Sequence, residues 1–217
     1  MRILVISDIH GRTDRLDAVA EVAEEADVLI VAGDITNFGG REEARKVLRP
    51  LLSSAELLLA VPGNCDREGV NHWLREEKIS LHGRGVVVGD IGFFGAGGSS
   101  PTPFATPQEY SEEELLAVLE RGYTSVEGCS VKVMVTHSPP FGTVLDLTGA
   151  GVHAGSRAVK DFIKRRSPAL ALCGHIHEAR GSTRVASTMA VNPGAVHMGY
   201  AVVELGDVLQ VELKEYR

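Results

Sequence analysis

The sequence predicts an α/β fold built on parallel strands, and three observations predict it. Apolar runs alternate with helical patterns over residues 1–61 in the order β-α-β-α-β. Such alternation builds a parallel sheet through right-handed crossovers. The runs are apolar at consecutive positions rather than at every second one, which suits strands covered on both faces. Apolar residues make up 44% of the 217-residue chain, enough to fill a sizeable core. No linker divides the chain, so residues 1–217 read as a single domain.

The elements follow in order. "RILVIS" (2–7) is the first strand. In "DRLDAVAEVAEEA" (14–26), Leu16, Val19, Ala20 and Ala23 recur at helical spacing with acids between them. "VLIVA" (28–32) is the second strand, and "REEARKVLRPLL" (41–52) a helix that Pro50 should bend or end. "LLLAV" (57–61) is the third strand. "GVVVGDIGFFGAGG" (85–98) reads as two strands around a Gly89–Asp90 turn, and "SSPTPFATPQ" (99–108) as a Pro-rich surface connection. Ser111 and Glu114 form a capping box that opens a helix to about Gly122. "VKVMVT" (131–136) is a strand, 138–155 a long loop rich in Pro and Gly, and Ser156 to about Arg165 a helix. "ALALC" (169–173) is a strand. Three more strand-like runs lie near 186–191, 200–205 and 208–213, the last two joined at Gly206–Asp207.

Bulk composition narrows the function. The formal charge is −7, and the one compact basic run, Lys164 to Arg166, falls at a predicted helix end where basic residues favour the dipole. A nucleic-acid partner is therefore disfavoured. Three widely spaced cysteines, Cys65, Cys129 and Cys173, give no disulfide framework and point to a reducing compartment. The N-terminus carries no signal-peptide pattern and no apolar run approaches the roughly 20 residues of a membrane span. The expectation is a soluble cytoplasmic protein without a membrane partner. A homo-oligomer is left open.

Each core strand is followed at once by groups that bind metal. Asp8-Ile9-His10 follows the first strand, Gly33-Asp34 the second, and Gly63-Asn64 the third. His137 follows "VKVMVT", and Gly174-His175-Ile176-His177 follows "ALALC". In a parallel sheet these strand ends share one edge, where ligand sites form. In extended chain, residues i and i+2 face the same side, so D-x-H and H-x-H each aim a pair together. The preceding glycines allow sharp turns and close backbone approach. Singly, each motif is common in turns; the ordered set of five is specific. Two carboxylates, one amide and four imidazoles, with no thiolate pair, suit divalent transition metals such as Mn, Fe, Co, Ni or Zn. Seven ligands exceed one ion and suit two, bridged by a carboxylate.

This ordered set resembles the calcineurin-like metallophosphoesterase superfamily from Asp8 to His177. "HSPPFGT" and the run from "HAGSRAVKDF" to "GHIHEARG" are similar to its small prokaryotic members. The resemblance implies a four-layer α/β/β/α sandwich, two mixed β-sheets flanked by helices. It implies one metal held by Asp8, His10, Asp34 and His177, and a second held by Asp34, Asn64, His137 and His175, with Asp34 bridging. It further implies hydrolysis of a phosphodiester or phosphomonoester by a metal-activated hydroxide, on a small phosphorylated or nucleotide-like substrate. Asp8, Asp34, Asn64 and His137 are the expected catalytic centre.

One motif departs from the family. Many members carry G-N-H-[DE], whose histidine is thought to protonate the leaving group; here the stretch is "GNCD", with Cys65 in that place. A thiol is a poor donor. His153, on the glycine-rich loop, is the alternative general acid, weighed against a plain surface residue. Leaving groups that need little protonation, such as aryl phosphoesters, are then expected to be preferred. Asp66 caps the next turn or orients Asn64. His72, His82 and His197 read as structural histidines, "NPGA" (192–195) as a turn, Arg180 as an exposed loop residue, and Cys129 and Cys173 as small core groups. The competing functions are a non-catalytic metal-binding scaffold, argued against by the complete ligand set, and a nuclease, argued against by the missing basic groove.

Overall fold

The computed structural model describes residues 1–216. Its elements are β1 (Arg2–Ile6), α1 (Leu16–Ala23), β2 (Val28–Ala32), α2 (Arg41–Ser54), β3 (Leu58–Val61), α3 (Glu68–Glu76), β4 (Gly85–Val88) and β5 (Ile91–Ala96). These are followed by α4 (Glu112–Thr124), β6 (Val131–Thr136), α5 (Arg157–Arg166), β7 (Leu170–Leu172), a 3-10 turn (His177–Ala179), β8 (Gly181–Val185), β9 (Thr188–Asn192), β10 (Tyr200–Glu204) and β11 (Gln210–Lys214). One sheet has the order β11-β10-β1-β2-β3 and the other β4-β5-β6-β7-β9-β8. Parallel pairing joins β1, β2 and β3 in the first sheet, and β5, β6, β7 and β9 in the second.

Alternation along the strands sets the layers, because successive side chains leave opposite faces. From β1, Ile3 and Val5 enter a core shared with Phe93, Val133, Val135, Leu170 and Leu172 of the second sheet. Leu4 and Ile6 point the other way, onto Leu16 and Val19 of α1 and Leu48 and Leu51 of α2. On the second sheet's outer face, Phe94, Met134 and Ala171 meet Leu119 of α4 and Phe162 and Ile163 of α5. Three apolar seams between four layers make the predicted α/β/β/α sandwich.

Three local outcomes differ from expectation. α2 runs through Pro50 to Ser54. The ring sits on the exposed side, where water can serve the carbonyl it leaves unpaired, while Val47, Leu48 and Leu51 keep the helix docked. α3 has no counterpart among the expected elements; Val70, Trp73 and Leu74 give it a buried stripe too short to stand out in sequence. β8 pairs antiparallel with β9 as an added edge strand. The α4 capping box forms as expected, with Glu114 N donating to Ser111 Oγ at 3.2 Å and Ser111 N to Glu114 Oε2 at 2.8 Å. All three cysteines are unpaired, and no helix among the described residues is long and apolar enough to cross a membrane.

The intersheet seam should dominate stability. Phe93→Ala is expected to cost about 3–5 kcal/mol, against about 1 kcal/mol for Ser111→Ala at the helix cap, both measured by urea unfolding. Equal costs for the two variants would show that the seam between the sheets is not the main core.

Candidate metal centre

Five strand ends reach one crevice. Asp8 and His10 follow β1, Asp34 follows β2, Asn64 follows β3, His137 follows β6, and His175 and His177 follow β7. Backbone bonds sew these ends together: Asp8 N donates to Gly33 O at 3.0 Å, His10 N to Asp34 O at 2.8 Å, and Gly174 N to His137 O at 3.0 Å. The last of these lies within the second sheet, and His137 Nδ1 reaches Ala32 O of the first at 2.8 Å. The two sheets therefore meet at the site itself.

The turns needed are strained. Asp8, His10, Asp34 and His175 have φ of 55°, 50°, 47° and 72°, the left-handed region that costs a non-glycine residue about 1–2 kcal/mol. Such conformations persist only where surrounding structure enforces them, and they cluster at functional sites. Two glycines make room. A Cβ on Gly63 would collide with the Asp34 carboxylate, and Gly33, at φ 97°, packs against the His137 ring.

The donor atoms fall into two groups that share Asp34. His10 Nε2 lies 3.6 Å from Asp34 Oδ2 and 4.0 Å from Asp8 Oδ1. His177 Nε2 lies 3.3 Å from Asp8 Oδ1 and 3.1 Å from His10 Nε2. On the other side, His137 Nε2 lies 3.5 Å from Asp34 Oδ1 and 2.9 Å from Asn64 Oδ1. Ligands about 2.0–2.2 Å from one tetrahedral ion sit about 3.3–3.6 Å apart; three of these six separations fall in that range and the other three lie between 2.9 and 4.0 Å. His175 joins less tightly: its ring meets His137 edge-on with centroids 5.0 Å apart, while its backbone N donates to Asp8 Oδ2 at 3.1 Å. Cys65 lies at the rim, its Sγ within 4.8 Å of donor atoms of His10 and Asp34.

Hydrogen-bond polarity tests whether a cation fits. The Ala32 carbonyl can only accept, so His137 carries its Nδ1 proton there and, when neutral, presents a bare lone pair at Nε2. That lone pair faces the Asn64 oxygen. His10 and His177 bring Nε2 within 3.1 Å of Nε2. Asp8 Oδ1 is buried and lies 3.3 Å from His177 Nε2, whose pKa this carboxylate raises. The Asn64 and Asp8 oxygens and the Nε2 lone pair of a neutral His137 are acceptors that a positive ion satisfies, and the N/O donor set fits divalent transition metals.

The electrostatics agree. Burial opposes charge on His137, but Asp34 and then Asp8 outweigh it and raise its pKa to about 9. Burial would raise Asp34, yet His137 and His10 hold it well below the usual carboxylate range. Burial, then the neighbouring His137, pushes His175 down to about 4. The protein thus holds positive charge between its carboxylates even with protons alone. Burial, then Asp34, pushes the Cys65 thiol up, so it stays protonated.

Residues with no strong sequence signal hold the candidate ligands. Asp66 is buried and accepts from Gly63 N at 2.8 Å, Ile35 N at 3.1 Å and both Thr36 N and Thr36 Oγ1 at 2.7 Å. It clamps the Asp34 turn to the Asn64 turn rather than simply capping the next turn of the chain. Burial, then Asp34, raises its pKa to about 6. Asn192, read from sequence as part of a turn, ends β9; its amide donates to Ile176 O at 2.9 Å and so supports the loop between His175 and His177. Arg180 is not a loose loop residue: it donates to Pro193 O at 3.0 Å and Lys214 O at 2.8 Å. His153 stands apart from the donor groups on the 138–155 loop, its Nδ1 2.8 Å from the buried Asp146 carboxylate. His72 and His197 are exposed, and His82 accepts from Gly97 N at 3.0 Å; none joins the site.

The calcineurin-like phosphoesterase family model matches residues 1–179, a span holding every donor named above. An uncharacterized protein of Methanocaldococcus jannaschii is 37% identical over 197 residues, which cover 89% of this chain and 88% of that protein. Among solved structures, TT1561 of Thermus thermophilus aligns with a TM-score of 0.77 and 18% identity over 98% of both chains. A dimetal phosphatase from Danio rerio aligns with a TM-score of 0.65 and 12% identity over 98% of this chain and 95% of that one. These two structures share the fold. By its family match and its archaeal relative, the chain belongs to the calcineurin-like phosphoesterase family.

Proposed function

We propose that this chain is a phosphoesterase that works with two divalent metal ions and hydrolyses small phosphomonoesters or phosphodiesters. One observation carries the reading: the buried Asp34 carboxylate turns Oδ2 toward His10 and Oδ1 toward His137, so one group serves both donor sets. Asp8, His10, Asp34 and His177 hold one ion; Asp34, Asn64, His137 and His175 hold the other. When bound, the pair supplies an activated water and neutralises phosphoryl charge. The dimetal phosphatase from Danio rerio shares the fold and its name states the same metal count.

The remaining residues orient and exchange protons. Cys65 N donates to Asp34 Oδ1 at 2.8 Å and fixes the bridging carboxylate. A thiol, as Cys65 supplies, is a poor donor to a leaving group. The alternative donor is His153, on the 138–155 loop. Its Nδ1 is committed to buried Asp146, which itself accepts from Gly142 N, Thr143 N and Gly155 N. Nε2 remains as the nitrogen able to carry the exchangeable proton.

Two measurements test this. The metal-stripped chain should bind divalent ions and hydrolyse p-nitrophenyl and bis-p-nitrophenyl phosphate only when Mn, Co, Ni, Fe or Zn is returned. His175→Ala should lower kcat by roughly 10²–10³-fold, the scale of removing one electrostatic contact to the reacting group. Metal binding without turnover on either ester would leave a scaffold; no metal binding would end the reading. Separately, His153→Gln should slow alkyl phosphoesters roughly 10²-fold while barely changing p-nitrophenyl esters. An equal loss on both would remove His153 as the acid.

A further inference from the structure

An asparagine can serve a cation through its oxygen only, since its nitrogen carries two protons. The two ends of the amide are nearly the same shape, so shape alone does not decide which one faces the metals. In this chain the 99–110 segment decides it. Its residues 99–108 read from sequence as a surface connection, yet the segment is stapled to the Asn64 turn: Gln108 N donates to Asn64 O at 3.0 Å and Gln108 Nε2 to Asp66 O at 2.7 Å.

From that anchored segment, Thr106 Oγ1 meets Asn64 Nδ2 at 3.0 Å. A hydroxyl has one proton to give. The Thr106 proton is claimed by Glu109 Oε1, 2.7 Å away. The same oxygen accepts from Thr106 N at 2.7 Å and Thr102 Oγ1 at 2.6 Å. Burial raises Glu109, but these donors together outweigh it and hold its pKa down to about 2. Glu109 is thus a pure acceptor. The hydroxyl must donate to it and can offer Asn64 only a lone pair. Asn64 must then turn its NH2 to Thr106 and its oxygen to His137, 2.9 Å away.

We propose that Thr106 and Glu109 are positioning residues, a one-way hydrogen-bond relay that fixes which end of the Asn64 amide faces the metal centre. The proposal rests on the reading of Asn64 as a metal ligand.

Calorimetric titration of the metal-stripped full chain with manganese(II) alone tests it. Thr106→Val keeps the shape and removes the hydroxyl. It should weaken one of the two ions about 10–100-fold, the range for partners that orient a ligand, and leave the other unchanged. Thr106→Ser should restore the wild-type isotherm. Glu109→Gln can donate as well as accept, so it should weaken the same ion; it also carries the test if Thr106→Val fails to fold. Asn64→Ala separates the two levels. If Asn64→Ala weakens binding while Thr106→Val and Glu109→Gln match wild type, the relay is overturned and the ligand reading stands. If Asn64→Ala leaves both ions unchanged, the ligand reading fails and takes the relay with it. If Thr106→Val lowers the urea midpoint of the metal-free chain with no selective loss of one ion, its role is structural and the relay is overturned.

Discussion

The buried carboxylate of Asp34 is the constraint on which the rest of the structure depends. It is 2% exposed and sits where both sheets end. A lone carboxylate in such a place costs several kcal/mol unless it is compensated. Compensation comes from every side: Cys65 N from the β3 end, the His137 ring from the β6 end, and the His10 ring from the β1 end. No single strand can supply this. The negative charge is stable only if the two sheets stack with these ends in register, which is what the intersheet seam provides.

That seam also explains how four left-handed residues are tolerated. Asp8, His10, Asp34 and His175 each sit just past a strand whose side chains are buried on both faces. Moving any of these turns to a relaxed conformation would drag a fully packed strand along its neighbours, and packed cores resist such shifts. The apolar layers hold the strain, and the strain aims the side chains inward. Stability and site geometry are one property here, written in different residues.

How much is legible in the sequence depends on the same physics. The candidate ligands can be read because each lies directly behind an apolar run, and two pairs have the i, i+2 spacing that extended chain turns into a shared direction. The β1, β2 and β6 boundaries come from continuous apolar runs, and the α4 start from a capping box that forms as its residues demand. The supporting residues are not legible for the opposite reason. Asn192 and Glu109 look like any polar residue near a turn, because what they hold lies 16 or more positions away in sequence, or acts through a second side chain. Asp66 stands out beside Asn64, but its grip on the β2 turn, 30 residues upstream, leaves no local trace. α3 escapes notice since a three-residue apolar stripe is within the noise of any loop, and Pro50 misleads because helix-breaking rules assume a helix without tertiary support.

A common rule joins the residues that surround the ligands: each is a group of fixed polarity. The Ala32 carbonyl can only accept, so His137 must turn its lone pair away from it. Cys65 N and His175 N can only donate, so each occupies one oxygen, of Asp34 and Asp8 respectively. The bare oxygen of Asp8 is the result, not an oversight of folding. Where a hydroxyl or an amide does touch this shell, its own partners fix the way it serves: Glu109 takes the Thr106 proton, and Gly194 N occupies the Asn192 oxygen. With one-way partners outside, the unspent lone pairs have a single direction left, and it is inward. Acceptors converging on one crevice are less favourable for the chain alone than around a divalent cation, and the backbone groups that aim them carry no charge themselves.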